Sequence, residues 1–126
     1  MNMNLFRYVF CHFMKRMALL AILTTFDPQI IVDSGGTIDV LWTEDNSAQP
    51  RDDVFFSRSI DAGLSFSTPI NVSQNPGASA IQQAWMNVDS SGNIYVTWRL
   101  IGGNLFPPQG NVYFSRSTDG GSTFSP

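Results

Sequence analysis

An eight-residue pattern that occurs twice constrains the fold of this chain more than any other feature. Residues 59–66 and 117–124 both follow Ser-x-Asp-x-Gly-x-x-Phe, so position 59 recurs at position 117. A similar lead-in, three apolar residues followed by Ser-Arg, precedes each copy at 54–58 and 112–116. Repetition at a fixed interval indicates one structural unit used twice in tandem.

A second pair of matching segments extends the repeat toward the N-terminus. Residues 32–42 and 88–98 both begin with Val-Asp-Ser, pass through glycine and end in Trp. Position 32 recurs at position 88, which is an offset of 56 residues, whereas the eight-residue pattern recurs after 58. We therefore expect a two-residue insertion in the loop that joins these segments in the second unit.

Each eight-residue pattern predicts the turn of a β-hairpin, because apolar and β-branched residues run up to the Ser and resume at the Phe. The Asp side chain can accept hydrogen bonds from N–H groups that follow it, and glycine tolerates the positive φ of such turns. We expect the Phe to start the returning strand with its ring beneath the turn. The residues assigned to this structural role are Ser59, Asp61, Gly63, Phe66, Ser117, Asp119, Gly121 and Phe124.

On these residues, the two copies resemble the Asp-box, or BNR repeat, of sialidase-like β-propellers, with Phe in the position where Trp is common. The resemblance covers about residues 27–126. In that family the Asp-box joins the third and fourth strands of a propeller blade, on the side away from the active site. The resemblance therefore implies that the repeated residues are structural and not catalytic.

The predicted fold is all-β, with two consecutive four-stranded antiparallel blades of a β-propeller, the second incomplete, preceded by a short N-terminal helix. Blade one is predicted over residues 27–73 and blade two over 74–126. Within blade one the fourth strand is expected at 66–72 and a polar loop at 44–53, and within blade two a longer loop is expected at 100–110. Because rings have roughly four to eight blades, we expect a fragment of a longer propeller or a chain that needs other copies.

Residues 1–26 differ in character from the rest of the chain. Lys15 and Arg16 precede an apolar run at 17–23 that is predicted to be helical. The length of this run suits a secretory signal better than a membrane span. Three interpretations remain open: a signal peptide or uncleaved anchor, a packing helix, and a start assigned upstream of the true one. The first would place the protein outside the cell or in the cell envelope.

Composition excludes several classes of function. The net charge is −3 and the seven basic residues are scattered, which argues against a nucleic-acid partner. Cys11 is the only cysteine and His12 the only histidine, so neither an intramolecular disulfide nor a Cys- or His-based metal site is expected. No cofactor and no metal are predicted.

The repeat also separates structural from candidate binding residues. Arg58 and Arg116 occur in both units, as do Trp42 and Trp98, so we assign them to contacts between blades. Candidates for ligand binding are residues without a counterpart, in loops on the side opposite the Asp-boxes. They are Glu44, Asn46, Arg51, Asp52, Trp85, Arg99, Asn104 and Phe106.

No catalytic residue is predicted. The resemblance implies that a sialidase needs three arginines, a Tyr nucleophile paired with Glu, and an Asp acid/base. The arginine motif Phe/Tyr-Arg-Ile-Pro is absent, and Glu44 is the only Glu. Two hypotheses follow: a non-catalytic repeat module that binds a glycan or protein, or part of an exo-α-sialidase or related glycoside hydrolase with its catalytic residues elsewhere. The exposed blade faces are expected to be covered by further blades or by self-association.

Overall fold

The computed structural model describes residues 23–46, 51–75, 80–102 and 110–125, and the regular elements among them are all β-strands. The all-β prediction is confirmed. Of the expected N-terminal helix, residues 17–22 lie outside the described ones, and Leu23 begins a strand instead. The strands are β1 (Leu23–Val32), β2 (Ile38–Asn46), β3 (Arg51–Ser59), β4 (Ile70–Asn71), β5 (Ala80–Val88), β6 (Ile94–Ile101) and β7 (Gly110–Ser117).

The strands form two antiparallel sheets in chain order. The first sheet is β1-β2-β3-β4 and the second is β5-β6-β7. Short turns after Val32 and Val88 connect β1 to β2 and β5 to β6, as their Asp-Ser-x-Gly sequences predict. Within the described residues, the first sheet thus has the four strands that were expected, and the second has three.

The two sheets have the same register. Trp42 lies opposite Phe55 in the first sheet, and Trp98 lies opposite Tyr113 in the second. Both pairs stack with ring centroids 5.9 Å apart. The cross-strand pairs match although the repeat offset is 56 residues before the β2–β3 and β6–β7 connections and 58 residues after them. The two extra residues of the second unit therefore lie in the connection between β6 and β7.

A β-bulge occurs at the same place in both sheets. It lies between Phe26 and Gln29 in β1 and between Gln82 and Trp85 in β5. Asp27 has φ 52° and Gln83 has φ 55°, the left-handed conformation that non-glycine residues seldom adopt. The two bulges share no sequence pattern, so the repeat in structure is longer than the repeat in sequence.

Two predicted strand limits are corrected by the structure. Residues 23–26 pair with β2, so the first sheet begins four residues before the expected boundary at 27. The fourth strand was expected at 66–72, but only Ile70–Asn71 pairs with β3. Neither Phe66 nor Phe124 lies in a strand, so the expectation that this Phe starts the returning strand is wrong. The reason lies at Ser67, whose hydroxyl and N–H bond to the backbone of Arg58, and at Pro69, which has no N–H to give to a ladder.

The polar segment 44–53, expected to be a loop, is largely strand. Glu44 lies opposite Asp53 and Asp45 lies opposite Asp52, so β2 and β3 extend beyond their apolar parts. Such a ladder places like charges directly across from each other, which is unfavourable without compensating bonds. Strand β6 likewise continues to Ile101 and β7 begins at Gly110, inside the loop expected at 100–110.

The core lies between the sheets, where β5 packs across β1, β2 and β3. Gln29 joins the sheets directly: its amide nitrogen donates to the carbonyl of Ala84 at 2.5 Å, and its amide oxygen accepts from the N–H of Met86 at 2.8 Å. The side chain of Gln29 therefore satisfies backbone hydrogen-bonding groups of β5 next to its bulge. The buried core is Leu41, Val54, Phe56, Val72, Ile81, Ala84, Met86, Ile94, Val96 and Trp98.

Candidate functional site

The first repeated turn, residues 59–66, is held by its own side chains. The Ser59 hydroxyl donates to Asp61 Oδ1 at 2.7 Å and accepts from the N–H of Gly63 at 2.9 Å. The other end of the turn bonds to the same carboxylate: the Ser65 N–H donates to Oδ1 at 2.9 Å and the Ser65 hydroxyl to Oδ2 at 2.5 Å. Both carboxylate oxygens are therefore used within the turn.

The second repeated turn, residues 117–124, has the same bonds. Ser117 donates to Asp119 Oδ1 at 2.7 Å and accepts from the N–H of Gly121 at 2.8 Å. Thr123 replaces Ser65, and its N–H and hydroxyl donate to Asp119 at 2.9 and 2.5 Å. A hydroxyl is what matters at this position, since Ser and Thr serve equally.

These bonds stabilise the ionised carboxylates. The hydroxyl of Ser65, then its N–H, lowers the pKa of Asp61 to about 2, and Thr123 does the same to Asp119. A carboxylate with such a low pKa is a poor proton donor or acceptor near neutral pH. The geometry therefore suits Asp61 and Asp119 to holding a turn and not to acid/base chemistry.

A related aspartate turn joins β1 to β2 and β5 to β6. Asp33 accepts the N–H groups of Gly35 and Thr37 at 2.8 and 2.9 Å. Asp89 makes the equivalent bonds and also accepts the Tyr95 hydroxyl at 2.9 Å. Hydrogen bonds from Asn93, side chain first, lower the pKa of Asp89 to about 2.

Arg58 is held by Asp39 across β2 and β3. Nε lies 2.6 Å from Oδ1 and Nη2 lies 2.7 Å from Oδ2, which is a bidentate pair. The Asp39 side chain is 4% exposed and that of Arg58 19% exposed. Hydrogen bonding to Asp39 raises the pKa of the Arg58 guanidinium. Arg58, which was assigned from sequence to contacts between blades, thus forms its ion pair within one sheet.

The second turn packs on the first sheet beside this pair. A Cβ built on Gly120 would lie 2.8 Å from Arg58 Nη1, and one built on Gly121 would lie 2.1 Å from Phe56 Cε1. Phe124 meets the same Phe56 ring edge-on, with centroids 5.3 Å apart. The position of Arg58 at this contact agrees with its assignment from sequence, whereas the packing of the second turn on Phe56 was not predicted. The signal available for it was the presence of Phe56 and of two glycines in the repeated segments.

Two of the candidate ligand-binding residues have internal partners. Glu44 is buried in β2, and its Oε2 accepts from the indole Nε1 of Trp42 at 3.3 Å. Asp52 Oδ2 accepts from the N–H of Ile81 at 2.8 Å and so ties β3 to the start of β5. Burial, aided by the charges of Asp45 and Asp53, raises the pKa of Asp52, while the bond from Ile81 opposes that rise.

The structure separates the remaining candidates. Trp85 lies in β5 at the bulge and is 65% exposed, whereas Arg99 lies in β6 and is half-buried. Asn46 and Arg51 pair through their backbones at the described end of the β2–β3 hairpin. Asn104 and Phe106 fall outside the described residues. Glu44 and Asp52 are thus brought to one end of the first sheet, and Trp85 and Arg99 lie in the second sheet.

The described residues offer no arrangement suited to glycoside hydrolysis. The hydroxyl of Tyr95 donates to Asp89, and Tyr113 stacks on Trp98, so neither tyrosine is paired with Glu44 in the part of the chain that the structure covers. Within the same ranges, no group of three or more His, Cys, Asp or Glu residues is placed to hold a metal ion. No described segment forms a helix long and apolar enough to span a membrane.

Taken together, the strands define a class of all-β proteins in which equivalent antiparallel sheets stack face to face. No protein-family profile matches the sequence, and no curated protein matches it. Among solved structures the chain is similar to one titled Hadza microbial sialidase Hz136, with a TM-score of 0.66 and 16% identity. The match covers 80% of this chain and 25% of that sialidase, so the chain spans about a quarter of its length. The fold is sialidase-like.

Proposed function

We propose that this chain is a fragment of an exported sialidase-like propeller built from BNR repeats, and that it acts as a non-catalytic repeat module. In this proposal residues 59–66 and 117–124 are Asp-boxes, and the two sheets are consecutive blades. The observation that carries it is the stacking of two sheets with the same register, the same bulge and the same aspartate-held turn.

Burial and bonding of the polar residues support the non-catalytic part of the proposal. Asp61 and Asp119 use their oxygens inside turns, and Asp39 is saturated by Arg58. Arg58 is consequently occupied and does not present its guanidinium to the carboxylate of a sugar. What the module offers to a partner is the described end of the β2–β3 hairpin, where Asn46 lies opposite Arg51, and this end suits a glycan or a protein.

A second candidate is part of an exo-α-sialidase or a related glycoside hydrolase whose catalytic residues lie outside this chain. The likeness in fold to a sialidase, over a quarter of that protein's length, favours it. Fold alone does not settle activity, because propellers carry many functions. In either case we propose that the protein works outside the cell or in the cell envelope.

Turnover of a fluorogenic sialoside by the purified full chain tests the non-catalytic proposal. We expect no release of the fluorophore above the buffer rate. Activity that copurifies with the chain and is abolished by Glu44→Gln, Tyr95→Phe or Tyr113→Phe would overturn the proposal. The matched control is Asp61→Asn, which alters a turn and no candidate nucleophile.

Glycan-array and solution titration of the same chain test the binding role. We expect a glycan that binds the parent chain to bind Asn46→Ala and Arg51→Ala more weakly, and to bind Asp61→Asn as well as the parent when folded fractions are matched. Equal affinity of all three variants would exclude these side chains as the binding surface. Reading the gene on both sides separates the two candidates: an Arg-Ile-Pro motif with a Tyr/Glu pair favours the hydrolase.

A further inference from the structure

The contact between the two sheets joins unlike faces. The first sheet contributes Leu41, Val54 and Phe56 to the core. The second sheet contributes the opposite side of its strands, namely Ile94, Val96 and Trp98. A contact between unlike faces can be extended by another unit of the same kind, because each unit still carries the face that its predecessor used.

The second sheet carries such a face. By register, Val112 and Phe114 of β7 occupy the places of Val54 and Phe56 of β3. Val54 and Phe56 are almost fully buried, whereas Val112 is 76% and Phe114 47% exposed. We call the following residues the outer face of the second sheet: Trp85, Tyr95, Thr97, Val112, Phe114 and Arg116.

The first sheet shows how this face is covered. The ring of Phe56 receives the backbone of Gly121, which approaches so closely that a Cβ would lie 2.1 Å from Cε1, and the edge-on ring of Phe124. Both come from one repeated turn. A ring on one sheet thus recognises the Gly and the Phe of the Ser-x-Asp-x-Gly-x-x-Phe pattern on the next.

Phe114 has the same register position in the second sheet as Phe56 has in the first. Its ring stacks on Tyr95, with centroids 6.3 Å apart and an interplanar angle of 29°. Val112 and Arg116 flank it as Val54 and Arg58 flank Phe56. The exposed face therefore repeats Val54, Phe56 and Arg58 of an interface that already exists in this molecule, and has Tyr95 and Thr97 in the places of Asp39 and Leu41.

We propose that the outer face of the second sheet is a docking surface for a third antiparallel sheet carrying a Ser-x-Asp-x-Gly-x-x-Phe turn, with Phe114 as the receptor for the glycine and phenylalanine of that turn. This docking surface rests on the proposed function, which requires sheets to stack in series. It adds Phe114 as the residue whose contact selects the partner sheet.

A second copy of this chain is a poor occupant. Its second sheet has already used the matching face against its own first sheet. On its first sheet, Ile38 and Trp42 occupy the places of Ile94 and Trp98 by register, and both are already buried. The partner is therefore a sheet whose face equivalent to Ile94, Val96 and Trp98 is not already covered.

A tandem extension of the full chain tests the proposal. Residues 80–125 are repeated after Pro126, and both tryptophans of the added copy are replaced by Phe, so the three tryptophans of the parent remain the reporters. Trp42 and Trp98 are buried and Trp85 is exposed, so acrylamide quenching reports mainly on Trp85. We expect the quenchable fraction to fall from about one third to near zero as the added sheet covers Trp85.

Three variants of the tandem chain identify the contact. Phe114→Ala in the parent part and Gly121→Ala in the added copy should each restore quenching of Trp85. Gly92→Ala in the added copy is the matched control, because Gly92 also has a positive φ but has no atom within 4 Å of a built Cβ, and it should leave quenching low. Exposed Phe114 can be truncated without opening the existing core.

The outcomes separate two failures. If Trp85 stays quenchable in the tandem chain, whether the added segment is folded or unfolded by circular dichroism, stacking on this face is wrong and the proposed function loses its support. If Trp85 is protected equally with and without Phe114→Ala and Gly121→Ala, sheets do stack but Phe114 does not select the turn, and the present inference alone is overturned.

Discussion

Asp39 and Arg58 face each other across β2 and β3 and form a bidentate ion pair, with Nε 2.6 Å from Oδ1 and Nη2 2.7 Å from Oδ2. The same register position in the second sheet pairs Tyr95 with Arg116, which is exposed. One arginine of the repeat is thus fixed at the contact between sheets, and the other lies on an open face. Identical residues in a repeat can have different energetic roles.

Arg58→Met should destabilise the fold by about 2 kcal/mol, because it leaves the buried carboxylate of Asp39 without its partner. The value lies below the roughly 3–5 kcal/mol of fully buried pairs, since Arg58 keeps some contact with water. Urea unfolding followed by circular dichroism measures the change. Arg116→Met is the matched control and should stay within about 0.5 kcal/mol of the parent. Equal losses of unfolding free energy in Arg58→Met and Arg116→Met would contradict the assignment of the loss to the ion pair with Asp39.

The free energy of unfolding should depend on pH through the two repeated turns. The folded-state pKa values of Asp61 and Asp119 are about 2, below the ordinary value of 3.8. Their contribution is therefore complete above the unfolded pKa and is lost as pH falls from 3.8 through about 2. We expect the Asp61→Asn, Asp119→Asn double variant to show a shallower fall in unfolding free energy over this interval.

The slope should not vanish in that double variant, because the pKa of Asp89 is also about 2 and that of Asp33 is lowered. Adding Asp89→Asn should flatten the curve further. Urea midpoints measured at intervals between pH 5 and pH 2 test this order. A double variant whose slope matches the parent's would show that the turn carboxylates do not differ in pKa between the folded and unfolded chain.

Local features of the fold could be predicted from the sequence because each depends on a few neighbouring residues. An aspartate followed by glycine between apolar runs is sufficient to indicate a turn, and the repeat of the pattern indicated two equivalent sheets. The bulges at Asp27 and Gln83 could not be predicted. They share only a backbone conformation, which the surrounding ladder imposes on dissimilar residues.

The polar candidates show a second limit. Glu44 and Asp52 were assigned to loops because charged residues are depleted in strands. In the structure β2 and β3 continue through them, because Trp42 and the N–H of Ile81 supply their hydrogen bonds. The partners of Glu44 and Asp52 are known only when the strand register and the position of β5 are known, and neither is written in the local sequence.

Ala62→Gly should stabilise the protein by about 1 kcal/mol, because Ala62 has φ 56° and a Cβ is strained in that conformation. The second turn already has glycine at the equivalent position, Gly120, with φ 71°. Ala62 is exposed, so no packing is lost. Thermal and urea unfolding measure the gain. Ala80→Gly, at an exposed position of β5, controls for the flexibility of glycine in the unfolded chain and should destabilise by about 0.5–1 kcal/mol.

Gly121→Ala should destabilise the protein by more than about 3 kcal/mol, because the new Cβ would lie 2.1 Å from Cε1 and 2.7 Å from Cζ of Phe56. Gly36→Ala is the matched control: its φ is 85° against 84° for Gly121, and no atom lies within 4 Å of its built Cβ. The control therefore carries the backbone strain without the clash and should cost about 1 kcal/mol. In a Phe56→Ala background, which removes the ring, the excess cost of Gly121→Ala over Gly36→Ala should largely disappear. An excess that persists without the ring would place the cause within the turn and not in its contact with β3.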